Sequence, residues 1–286
     1  MHVELVRVET IDGLRLDGAL QRPVAPEAEG PVDAALLLHG VGGNFYSSTL
    51  LESLVQPLLS RGIAVLRVNT RGRDGLFTAN TIRGVRRFGA AYEVVDECRF
   101  DLSAWRSFLL AEGYPRIALV GHSLGAIKAI YVSAKGEEGA YARVAALSPP
   151  RLAYSVFLQG ADSQTFQETI ALAEACMADG RRDELLNVRF PFPLVITAAS
   201  YLDKYGPQER YDILRHVSKM TCPALFLYGE KELATGGTPF AGLDRAVADA
   251  ARPGQPLSVQ VVPGADHFYS GVTAAAAAEV AKWLGA

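Results

Sequence analysis

Ile117-Ala118-Leu119-Val120-Gly121-His122-Ser123-Leu124-Gly125-Ala126-Ile127 is the stretch that decides the fold. Four consecutive apolar residues, 117–120, read as a strand buried on both faces, and the residues from Leu124 onward recur at helical spacing. Between them stands Gly121-x-Ser123-x-Gly125. A serine in a sharp strand-to-helix turn needs small neighbours, because the turn strains the backbone and the helix packs closely on the strand. Gly121 and Gly125 supply that room, so Ser123 is expected to raise its hydroxyl above the C-terminal edge of a sheet. As a bare five-residue pattern this is a weak signal; its place between strand and helix makes Ser123 a candidate nucleophile.

Outward from the elbow, short apolar runs alternate with helical patterns. Ala34–Leu38, Ala64–Val68, Val144–Leu147, Leu225–Tyr228 and Leu257–Val262 read as further strands, with helices near 49–60, 93–112, 124–135, 240–252 and 272–284. Buried strands separated by crossover helices make a mostly parallel sheet. Residues 3–9 and 14–21 alternate around Ile11-Asp12-Gly13, the pattern of an antiparallel hairpin at one edge. The rhythm breaks between Pro150 and Cys222, an interval too long for a simple crossover, with helix-like segments at Ser163–Asp179 and Gln208–Val217. The expected organisation is an α/β core formed by 1–149 and 221–286, with 150–220 inserted as a helical cap.

Composition narrows the function. The 286 residues are 49% apolar and 21% charged, and 28 basic against 31 acidic side chains leave a net charge of −3. This is a globular chain with no electrostatic grip on nucleic acid or on an anionic membrane. The start of the sequence carries acids where a secretory signal would be basic and then apolar, and no run approaches the ~18 apolar residues of a spanning helix, so the expected location is the cytoplasm. Cys98, Cys176 and Cys222 are odd in number and far apart, which argues against a disulfide framework and against CxxC metal chemistry.

A nucleophilic serine needs an oxyanion hole, a base and an acid. Leu38-His39-Gly40-Val41-Gly42-Gly43 ends a buried strand, and its glycines let backbone N–H groups face a substrate. The N–H of Val41 is assigned as one oxyanion donor and that of Leu124, at a helix start, as the other. A phosphate-loop reading of the same stretch lacks both G-K-[ST] and G-x-G-x-x-G. Of five histidines, His267 falls in Pro263-Gly264-Ala265-Asp266-His267-Phe268, between the last strand and the last helix on the serine's edge of the sheet. The acid is expected between Ser123 and His267 at a strand end, in Tyr228-Gly229-Glu230-Lys231-Glu232. Glu232 is the choice and Glu230 the runner-up, with Asp244 and Asp266 behind them.

Together these residues resemble the α/β-hydrolase superfamily, in its capped esterase, lipase and peptidase-like branches, over nearly the whole chain. His39-Gly40 is similar to the family's oxyanion HG, Asn69-Thr70-Arg71-Gly72 to its D-x-R-G turn, Gly121–Gly125 to its nucleophile elbow, Gly229-x-x-Glu232 to its G-x-x-D and Gly264-x-x-His267 to its histidine loop. Asn69 and Glu232 each stand where the family more often has aspartate. The resemblance implies a serine hydrolase that cleaves a carboxylic ester through an acyl-serine, with no metal or organic cofactor and a small-molecule ester as partner. Thioesterase, lactonase, amidase or peptidase, and C–C bond hydrolase share the same triad, and a non-catalytic binding protein on this fold is the alternative of a different class. Gly40, His122, Phe190 and Phe192 are the expected substrate contacts. The arginines at 67, 71, 73, 83, 86 and 87 lie on a segment leaving the catalytic edge, where they would pair an anionic substrate group or, on the commoner pattern, internal acids and solvent. A homodimer is left open.

Overall fold

The computed structural model describes residues 2–24, 30–136 and 138–286. In chain order, the hairpin β1 (Glu4–Glu9) and β2 (Arg15–Gln21) leads into β3 (Ala34–Leu38), α1 (Thr49–Leu59) and β4 (Ala64–Val68). A second hairpin, β5 (Phe77–Thr81) and β6 (Gly84–Phe88), precedes α2 (Cys98–Ala111), β7 (Ile117–His122), α3 (Leu124–Lys135) and β8 (Arg143–Leu147). Next come α4 (Tyr154–Phe157), α5 (Ser163–Ala178), β9 (Leu185–Val188), β10 (Leu194–Thr197), α6 (Ala198–Tyr205) and α7 (Leu214–Val217). The chain closes with β11 (Ala224–Gly229), α8 (Glu230–Thr235), α9 (Leu243–Asp249), β12 (Leu257–Val262) and α10 (Thr273–Gly285).

Eight strands form one sheet in the order β1-β2-β4-β3-β7-β8-β11-β12. The N-terminal hairpin pairs antiparallel and β2 joins β4 antiparallel, while every pair from β4 to β12 is parallel. This is the α/β-hydrolase fold. Each central strand is apolar at both even and odd positions because both faces are covered. Leu36, Leu38, Leu66 and Leu119 share one core with Trp105 of α2 and Ile127 of α3. Ala35, Leu37, Val65 and Val120 share the other with Leu54 of α1 and Val280 of α10.

Register brings the functional loops to one edge. Leu38 lies opposite both Val68 and Gly121, His122 opposite Leu147, and Gly229 opposite Val262. The loops after β3, β7, β8, β11 and β12 therefore leave the sheet side by side, where open α/β sheets present their ligand sites.

Between β8 and β11 the chain carries the helices α4 to α7 and also the antiparallel pair β9–β10, which the expectation of a helical cap did not include. This segment is tied to the loop before α2: Thr197 donates its N–H to Ala91 O at 2.9 Å and Asp96 its N–H to the Tyr211 hydroxyl at 2.9 Å. Among the described residues no helix is long and apolar enough to cross a membrane.

Candidate active site

Ser123 sits between β7 and α3 with φ 56° and ψ −121°, outside the ordinary regions for a residue with a side chain. The strain is enforced by close packing. A Cβ on Gly121 would lie 2.2 Å from Gly125 O, and one on Gly125 would lie 2.4 Å from Leu38 O. Ser123 donates its N–H to Leu147 O at 2.9 Å, so the elbow is also pinned to the neighbouring strand.

His267 approaches from the loop after β12. Its Nε2 is 3.0 Å from Ser123 Oγ and its Nδ1 is 2.5 Å from Glu232 Oε1. The Glu232 carboxylate is buried at the third position of α8. From there Oε2 accepts the Gly229 N–H at 3.2 Å, capping the helix start while Oε1 faces the imidazole. The extra methylene of glutamate is taken up by this reach from a helix. Glu230 does something else: its Oε2 accepts the Gly264 N–H at 2.8 Å and fastens the start of the histidine loop. Lys231 N–H, donating to Ala265 O at 2.9 Å, fastens the same loop one residue further on. Asp266 accepts the N–H groups of Phe268 and Ser270, and Asp244 lies on α9.

Ser148, which sequence reasoning missed, completes the surroundings of Glu232. It follows β8 with φ 49°, fully buried, and its hydroxyl lies 2.7 Å from Glu232 Oε2 and 3.0 Å from the Tyr269 hydroxyl. The only signal for it was position, directly after the strand 144–147 on the serine's edge of the sheet. Each carboxylate oxygen thus has a donor, as a buried charge requires.

Gly40 and His122 lie beside the serine. A Cβ on Gly40 would come 3.2 Å from that of Ser123. The His122 ring borders the cavity but is committed elsewhere, donating from Nε2 to His267 O at 2.8 Å; burial pushes its pKa down to about 4 and the neighbouring His267 adds to this. It is therefore a neutral brace for the histidine loop. His39 is likewise buried and neutral, held down to about 4 by burial and by the Lys128 charge.

Two cavities meet at Ser123. One, of about 200 Å³, is lined by Leu124, Ile127, Leu152, Phe190, Tyr205 and Phe240. The other, of about 460 Å³, is lined by Gly40, Ser47, Leu50, His122 and Phe268. Val41, Phe192 and His267 border both. Phe190 packs edge-on against Phe157 and tilted against Phe166, ring centres 5.0 and 5.1 Å away, so it is a wall built from buried aromatic packing, whereas Phe192 is 42% exposed.

The arginines do not face these cavities. Arg71 is buried with Asp101, Asp12 and Glu97, Arg67 reaches Glu52 and Gln21, Arg73 pairs Asp74, and Arg83, Arg86 and Arg87 belong to the β5–β6 hairpin or its turn. Asn69, in place of the family's aspartate, accepts the Phe45 N–H at 3.1 Å and so ties the two loops after β3 and β4 together. Among the described residues no group of three or more His, Cys, Asp or Glu could hold a metal ion.

The sequence profile of the alpha/beta hydrolase family matches residues 35–283, and the chain belongs to that family. No curated protein matches the sequence. Among solved structures, the chain is similar to the esterase domain of a Rhodothermus marinus protein, at 20% identity, TM-score 0.62, covering 100% of this chain and 98% of that one. It is also similar to Est1E from Butyrivibrio proteoclasticus with ferulic acid bound, at 15% identity and TM-score 0.68, over 98% and 99% of the two chains. GrgF, an alpha/beta hydrolase from Penicillium sp. sh18, aligns at 16% identity and TM-score 0.69 over 99% of each. The family supports hydrolase activity, and these neighbours share its fold.

Proposed function

We propose that the protein is a serine hydrolase that cleaves a carboxylic ester through an acyl-serine, with Ser123, His267 and Glu232 as its triad. The observation that carries this reading is the continuous line from Ser123 Oγ to His267 Nε2 at 3.0 Å and from His267 Nδ1 to Glu232 at 2.5 Å. His267 takes the serine proton as Oγ attacks the carbonyl, and Glu232 holds the imidazole tautomer and stabilises the imidazolium. The N–H groups of Val41 and Leu124 receive the developing oxyanion, the second aided by the start of α3. His267 then protonates the leaving alkoxide and deprotonates the water that releases the acid. None of these steps calls on a metal or an organic cofactor.

The segment 150–220 is the roof in this reading, contributing Phe190, Phe192 and Tyr205 over the serine. A lining of aromatic and branched side chains suits a compact, apolar acyl group in the smaller cavity, with the larger one left to the other half of the ester. The ferulic acid on a structurally similar protein is an aromatic acid of this general type.

The test is labelling by a fluorophosphonate followed by a panel of aryl and alkyl esters, thioesters and amides. Labelling at Ser123, lost in Ser123→Ala together with a fall in kcat on the order of 10⁶, is the expected outcome. A folded protein that neither labels nor turns over any ester is instead a binding protein on this fold.

A further inference from the structure

Beneath the oxyanion loop lies a buried ionic group that the catalytic steps do not use. Glu93, 2% exposed, stands in the loop before α2. Its Oε1 is 2.5 Å from Nζ of Lys128 on α3, and its Oε2 is 3.3 Å from Nζ of Lys204 on α6. Both lysines are 1% exposed. Such a group is costly to desolvate, and removing one member leaves the others uncompensated. Space is reserved for it: a Cβ on Gly72 would fall 2.0 Å from the Glu93 carboxylate.

From Lys128 the contacts run toward the oxyanion loop, each donor pointing the same way. Lys128 Nζ donates to Thr70 Oγ1 at 2.8 Å. The Thr70 hydroxyl lies 3.2 Å from His39 Nε2, which also accepts the Thr70 N–H at 3.1 Å. With Nε2 an acceptor, the proton of the neutral ring is on Nδ1, which donates to Gly40 O at 2.8 Å. That carbonyl shares a planar trans peptide with the N–H of Val41, and the two point in opposite directions. Holding the Gly40 oxygen therefore aims the Val41 N–H.

The other end of the group lies in the segment between β8 and β11. Lys204 belongs to α6 of that segment, and its neighbour Tyr205 lines the smaller cavity at Ser123. We propose that Lys204, Glu93, Lys128 and Thr70 are positioning residues that couple the seating of the 150–220 segment to the aim of the Val41 N–H, through His39 and Gly40. This rests on the reading of Val41 as an oxyanion donor. The buried charges then have a role in the reaction, because the hole is properly formed only when α6 is seated.

The coupling is tested with Thr70→Val, Lys204→Met and the double variant. kcat and KM are measured on one aryl ester, and kcat is normalised to the fraction of chains that a fluorophosphonate titrates. A whole oxyanion donor is worth ~10²–10³ in kcat, and a misaimed one should forfeit part of that, about 10-fold in each single variant with KM little changed. The double variant should be within about threefold of the slower single, because both break one line of contacts. Thr70→Ser, which keeps the hydroxyl, should restore kcat. If the double variant shows the product of the two losses, or Thr70→Val matches the wild type, the coupling is overturned. Should Lys204→Met not fold, Thr70→Val against Thr70→Ser decides: equal kcat refutes the line of contacts, and loss with rescue supports it. A wild type that labels and turns over ester keeps the hydrolase reading whichever way the variants fall, whereas an inert wild type removes both.

Discussion

Around Ser123 the backbone itself fixes the geometry, whereas around Glu232 hydrogen-bonding side chains do. The elbow is held by two glycines that leave no space for a Cβ and by strand pairing on both sides of β7. The Glu232 carboxylate rests on Ser148, on the Gly229 N–H and on the His267 loop, which Glu230 fastens and His122 braces. Backbone-held geometry fails all at once when a methyl group is added. Side-chain-held geometry can be weakened one contact at a time.

The largest effect separating the two regions should come from the acid. Glu232→Gln keeps the size of the side chain but favours the wrong tautomer of His267 and leaves the imidazolium unpaired, for a loss on the order of 10⁴ in kcat/KM by analogy with a protease aspartate. Glu230→Gln should stay within about tenfold of the wild type, because it weakens a loop fastening of about 0.5–1.5 kcal/mol rather than removing the acid. Both are read on one activated ester with folding checked by circular dichroism. A larger loss in Glu230→Gln would reassign the acid.

On the elbow side, Gly125→Ala should cost stability more than chemistry. Its Cβ would meet the carbonyl oxygens of Leu38 at 2.4 Å and His39 at 2.6 Å, both backbone atoms of a central strand end. The expected loss is about 3 kcal/mol or more of unfolding free energy, measured by urea titration. A near-normal midpoint would mean that the elbow can yield, and that the two regions differ less in rigidity than their packing implies.

Ser148→Ala sharpens the contrast from the other side. It removes a donor to a buried carboxylate, an interaction worth about 1.5–3 kcal/mol, so kcat/KM should fall about 10- to 100-fold while the chain stays folded. Ser148→Thr, which keeps the hydroxyl, should lose less. Equal activity in Ser148→Ala would show that the Gly229 N–H alone suffices to hold Glu232.

How much of this was legible follows the same division. Strands such as 34–38 and 64–68 were readable to the residue, because burial on both faces leaves an unbroken apolar run. Gly121 and Gly125 announced the elbow because only glycine fits where backbone meets backbone. The hairpin 77–88 was not legible, since Phe77-Thr78-Ala79-Asn80-Thr81 and Gly84-Val85-Arg86-Arg87-Phe88 are half polar and largely exposed. Nor was the pair β9–β10, where Pro191 and Pro193 mask a short strand. Ser148 and Lys204 carry no pattern of their own. A serine before two prolines reads as a strand end and a lysine in a helix as a solvated one, and only tertiary contacts reveal otherwise. Glu232 was legible as a carboxylate at the right distance from Gly229, but its helical setting was hidden in a segment only six residues long.

The smallest effect expected lies at Phe192, which neither the backbone nor a hydrogen bond holds in place. Its ring borders both cavities at Ser123 and is partly exposed, so on the proposed reading it would divide the two halves of a substrate. Phe192→Ala should therefore leave the urea midpoint within about 0.5 kcal/mol of the wild type, as an exposed side chain away from special features does. It should also shift the ratio of kcat/KM between a short and a bulky acyl ester by about 10-fold, the scale of a hydrophobic contact worth about 1–3 kcal/mol in discrimination. Phe190 makes the informative control, because it is buried against Phe157 and Phe166, and its truncation opens a cavity in packed aromatics. A variant at Phe192 with an unchanged acyl profile would move the dividing wall to Val41 or His267, the other residues common to the two cavities.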